Sequence, residues 1–100
     1  SGAEIALSEA RLGSLRAEHH KLELALGLEV TQAQLALELA RQRQQVTQKT
    51  VEQAEESETL AQARFRAGVL LISELIDSEN RLTDARVRHA LASKNGGPRE

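Results

Sequence analysis

The sequence predicts an all-α protein, a long antiparallel helical hairpin of coiled-coil character. Three features carry that expectation. Ala, Leu, Glu, Gln and Arg dominate a chain of 100 residues whose one aromatic is Phe65, the composition of long helices and coiled coils. Small residues recur every seven positions from Ala33 onward. A single strong interruption, Gly68, precedes the most hydrophobic run of the chain, Val69-Leu70-Leu71-Ile72.

Helix one is expected from about residue 3 to 67. Ala33, Ala40, Thr47, Ala54, Ala61 and Gly68 form its heptad series. Leu39, Val46 and Leu60 flank the series on one side, and Leu37, Val51 and Phe65 on the other. Arg41, Gln48, Glu55 and Gln62 fall on the opposite face. This amphipathic pattern predicts packing against a neighbour at a shallow angle. The stripe is small in its middle, where Thr50 and Ser57 join the alanines, and small residues let helix axes approach closely. The same period runs backward through Leu26, His19 and Leu12, and through Leu22 and Leu15.

Gly13 and Gly27 oppose continuity, each at about 1 kcal/mol relative to Ala. The stretch "LELALGLEV", residues 22 to 30, also alternates apolar and polar like a strand. A lone strand has no partner here and its apolar residues are mostly Leu, so helix is the expectation. The alternative architecture is a three-helix bundle with a break near Gly27.

Gly68 fits the left-handed residue that closes a helix, and the tip is expected at residues 68 to 72. Helix two then runs from about 72 to 93, with Leu71, Leu75, Ser78, Leu82, Ala85, His89 and Ala92 as its packing stripe. Ser73 is the nearest capping side chain. Residues 1–93 thus form the hairpin. The tail "SKNGGPRE" places Asn, two Gly and Pro in sequence, which predicts a helix end and a flexible segment over 94–100. Helix two is far shorter than helix one, so much of the apolar stripe of helix one must face a larger helical assembly or another copy of the chain.

Several function classes are disfavoured. A chain with 40% hydrophobic residues and this length forms one domain without a thick core. With no Cys there is no disulfide framework or thiolate metal site. A net charge of −2, with bases dispersed among acids, is not that of a nucleic-acid binder. No apolar run approaches the roughly 20 residues that span a bilayer, and no signal peptide is visible. His19-His20 is not read as a metal site, because adjacent histidines diverge by about 100° on a helix. Nothing stands out as a nucleophile, phosphate loop or acid-base pair, so the expectation is a non-enzyme with no cofactor.

The segment "ARFRAGVLLISELID", residues 63 to 77, with the small-residue heptad before it, resembles the second structural repeat of TolC-type outer membrane efflux proteins. The likeness covers roughly residues 25 to 90. Arg64, Phe65 and Gly68 match the Arg-aromatic-x-x-Gly signature that ends the descending periplasmic helix, and Glu74, Leu75, Ile76 and Asp77 match the returning segment. The resemblance implies an excised piece of a trimeric channel whose α-helical barrel forms a periplasmic conduit to the outer membrane. It further implies that Arg64, Arg66, Gly68, Val69, Leu70 and Leu71 dock a periplasmic adaptor (membrane fusion) protein of a tripartite pump. Glu74 and Asp77 would line the periplasmic aperture. The channel is a trimer, whereas the piece alone is expected to associate weakly.

Alternatives stay open at each point. The apolar run equally fits a local cap folded inward, and Glu74 and Asp77 fit ordinary first-turn acids favoured by the helix dipole. Asp77 has Arg81 at i+4, and Asp84 has Arg88. Many relatives place Ser or Thr three residues after the glycine, where this chain has Leu71. A structural coiled-coil module or the hairpin of an adaptor protein is the second functional class. The adaptor tip pattern is met at Arg66 and Leu70 and fails at Asp77, where it has Ser.

Overall fold

The computed structural model describes residues 1–96 and is an antiparallel helical hairpin. Helix α1 spans Gly2–Arg66 and α2 spans Ile72–Gly96, with no strand among the described residues. Residues 1–36 and residues 37–100 form two separate units.

The first unit is the N-terminal part of α1 alone. Both glycines lie inside the helix, and a Cβ at Gly13 or Gly27 would meet nothing within 4 Å. A cost of about 1 kcal/mol at each is too small to break a helix of this length. The break considered near Gly27 does not occur: "LELALGLEV" is helical, and the Thr31 hydroxyl donates back to the Gly27 carbonyl at 2.9 Å. Every residue of this unit is exposed.

The second unit contains the turn and the helix pair. α1 ends with Arg64 and Arg66 in its last turn, and α2 begins with Glu74 in its first, each sign matching the adjacent helix pole. The inward positions of α2 are Leu75, Ser78, Leu82, Ala85, His89 and Ala92, spaced alternately three and four. Those of α1 are Ala40, Gln44, Thr47, Val51, Ala54, Glu58 and Ala61, with the complementary spacing. This is coiled-coil packing. Contact between Thr47 and His89 sets the register, which brings Val51 opposite Ala85, Ala54 opposite Leu82 and Ala61 opposite Leu75. Large residues therefore meet small ones. The core is Val51, Leu82 and Ala85, with Ala54 packed against them.

Several expected positions differ. Leu71 stands outside the α2 stripe and is exposed. Of the apolar residues flanking the α1 heptad, only Val51 turns inward, while Leu37, Leu39, Val46, Leu60 and Phe65 remain exposed. Gln62, expected on the outer face, is half-buried, as are Gln44 and Glu58. The reason is width, because a single helix covers only the narrow seam of two positions per heptad. α2 also continues to Gly96, and the rest of the expected tail, residues 97–100, lies outside the described residues.

The core is thin. Among the described residues no side chain is fully buried, and the accessible surface is 8422 Å², against about 5,600 Å² for a compact chain of this mass.

Candidate docking tip

The turn is built almost wholly from backbone. The Gly68 N–H donates to the Phe65 carbonyl at 2.9 Å and the Val69 N–H to the Arg64 carbonyl at 3.0 Å. With Gly68 at φ 77°, this pair of bonds is a Schellman closure. The glycine is needed for its left-handed conformation and not for space, since a Cβ there would meet nothing within 4 Å. Thus Gly68 is placed by the fold itself, and Arg64 and Phe65 serve the turn through their carbonyls.

α2 starts without a side-chain cap. The Leu71 carbonyl accepts from the N–H groups of Glu74 (3.1 Å) and Leu75 (3.2 Å), which makes Leu71 the N-cap residue. Ser73 therefore lies two positions past the N-cap, and among the described residues its hydroxyl makes no hydrogen bond. Leu is among the poorest N-cap residues, about 1 kcal/mol worse than Ser, Asp or Asn.

The hydrophobic run divides into two roles. Leu70 is half-buried and lines a groove with Leu60, Ala61 and Arg64 of α1 and Glu74 and Ser78 of α2. Val69, Leu71 and Ile72 point outward, with 72%, 68% and 55% of their surface exposed. Arg64 and Arg66 are exposed beside them, as are Glu74 and Asp77 on α2. Among the described residues neither Asp77 with Arg81 nor Asp84 with Arg88 closes to ion-pair distance; only Ser1–Glu4, His19–Glu23 and Glu38–Arg41 do so. Among the described residues the acids of the tip therefore face water with no cationic side chain at ion-pair distance.

Further apolar residues form an outer surface of the second unit. Leu39, Val46 and Leu60 on α1, and Ile76, Val87 and Leu91 on α2, are all exposed. Leu39, Val46 and Leu60 are flanks that the sequence marks on α1, whereas Ile76, Val87 and Leu91 lie outside the expected packing stripe of α2. Once α2 takes the seam, they become outer faces of the hairpin.

Among the described residues no cluster of three or more His, Cys, Asp or Glu side chains forms a metal site, and no helix is long and apolar enough to cross a membrane. His19 instead places Nδ1 2.8 Å from Glu23 on the exposed surface. Comparison with protein-family models, with characterised proteins and with solved structures gives no match to this chain.

Proposed function

We propose that the chain is a periplasmic helical segment of an outer membrane efflux channel, part of a trimeric export conduit, and that its tip docks the adaptor protein of a tripartite pump. One observation carries this reading. At the Gly68 turn the fold draws Leu70 inward, yet leaves Val69, Leu71 and Ile72 in solvent, with Leu71 at a capping position where a polar residue serves folding better. Side chains that cost the fold something and cover nothing within it are suited to a partner.

Other features support the same reading. The outer apolar faces of both helices suit neighbours on either side of the hairpin, as in a helical barrel. Gly68 permits close backbone approach at the tip. Arg64 and Arg66 supply positive charge around the apolar centre, and threefold repetition of Glu74 and Asp77 would give a carboxylate ring that attracts cations and repels anions. The role is non-enzymatic and needs no cofactor.

The test is Val69→Asp with Leu71→Asp in the full-length protein. Both side chains are exposed, so folding and membrane insertion should survive while efflux-dependent resistance is lost. Unchanged resistance at normal protein level contradicts adaptor docking through these residues. The second reading, a coiled-coil module or the hairpin of an adaptor, is favoured by the regular heptad seam between α1 and α2, which any such module shares. The reading frame separates the two: flanking β-strands accompany a channel, and a lipoyl-like domain split around the hairpin accompanies an adaptor.

A further inference from the structure

Every one of residues 1–36 of α1 is exposed, and among the described residues nothing covers them. They nevertheless carry a heptad seam of their own. Ile5, Leu12, His19, Leu26 and Ala33 occupy one core position, and Ser8, Leu15, Leu22, Glu29 and Ala36 the other. The flanking positions hold Glu9, Arg16 and Glu23 on one side and Glu4, Arg11 and Glu18 on the other. In coiled coils these flanks set partner and orientation.

They discriminate sharply here. A parallel, in-register pair would set Glu4 against Glu9, Arg11 against Arg16 and Glu18 against Glu23 of the second copy, three like-charge contacts repeated on both edges. An antiparallel pair with its twofold axis between His20 and Lys21 behaves differently. It places Leu15 against Leu26, His19 against Leu22, and Arg16 against Glu23 of the second copy, each twice, with no like charges facing. Sliding that pair by one heptad in one direction brings Arg16 against Arg16 and Glu9 against Glu23. Sliding it in the other brings Glu23 against Glu23. One register therefore joins the apolar seam to opposite charges. The Glu23 carboxylate already lies toward the seam, 2.8 Å from Nδ1 of His19.

We infer that residues 5–36 pair with a second copy of this chain as an antiparallel two-stranded coiled coil centred between His20 and Lys21. The inference uses no residue of the tip and concerns the 100-residue chain by itself, outside the trimeric conduit of the proposed function. Polar His19, Ser8 and Glu29 in the seam make the association weak and concentration-dependent.

Sedimentation equilibrium of the 100-residue chain from micromolar to millimolar concentration tests it, using Arg16→Glu, Glu23→Arg and the double variant. The wild type should dimerise within this range. Each single reversal converts two attractive contacts to repulsive ones and should weaken the dimer about tenfold. The double variant should recover wild-type association. Both positions tested are exposed and outside the hairpin core, so folding is not at stake. A strictly monomeric wild type overturns the inference, and so does a double variant that fails to recover or single variants that associate unchanged.

Discussion

The Thr47 hydroxyl lies 2.9 Å from Nδ1 of His89, and among the described residues this is the one side-chain hydrogen bond that joins α1 to α2. The same hydroxyl is 2.7 Å from the Arg43 carbonyl. A hydroxyl has one proton to give; with that proton on the carbonyl, His89 must donate from Nδ1. A half-buried hydrogen-bonded pair that spans the seam fixes which residues face each other.

That pairing predicts coupling. Thr47→Val removes the acceptor and leaves a half-buried ring N–H without a partner, which should cost about 1 kcal/mol. Thr47→Val combined with His89→Leu should cost less than the two single changes added, because neither group is then stranded. Urea unfolding of the four proteins measures the coupling; strict additivity would mean that the pair does not hold the register.

Ser78 offers the opposite sign. It is only 4% exposed, and among the described residues its Oγ has no hydrogen-bond partner. Ser78→Ala removes a desolvated hydroxyl and improves helix propensity, so the urea midpoint should rise by the equivalent of about 1 kcal/mol.

The turn predicts a loss at Gly68. Gly68→Ala has room for its methyl, so its penalty is conformational, about 1 to 2 kcal/mol for a left-handed residue with a Cβ. Thermal unfolding reads this directly, and an unchanged melting temperature would mean that the Schellman closure is dispensable.

Leu71 separates folding from docking. Leu71→Ser installs a side-chain cap and removes little buried surface, so it should stabilise α2 by about 1 kcal/mol, and under the proposed docking role it should weaken attachment of an adaptor. A variant that is less stable would show instead that Leu71 serves as a structural cap.

Much of the fold was legible because its determinants are local. Gly68 ends α1 through its own φ, and the three-four spacing of Leu75, Ser78, Leu82, Ala85, His89 and Ala92 marks the inner face of α2 before any partner is known. What could not be read depended on the partner's width. Leu39, Val46 and Leu60 look as apolar as Val51, and only the position of α2 decides which of them is covered. Gln44, Glu58 and Gln62 turn inward because long side chains lay their methylenes along a seam and keep their polar ends wet. At the tip, the sequence marked all of residues 69 to 72 as sticky. The split between inward Leu70 and outward Val69, Leu71 and Ile72 follows from the direction in which the chain leaves Gly68, which no periodicity encodes.

Adaptor docking is tested most directly by site-specific photo-cross-linking from position 71 of the full-length protein in cells. A photoreactive side chain at Leu71 should form an adduct with the tip of a periplasmic adaptor hairpin, and the same group at exposed Glu55, away from the tip, should not. Equal adaptor adducts from both positions, or none from position 71 with both proteins present, would contradict docking through the tip.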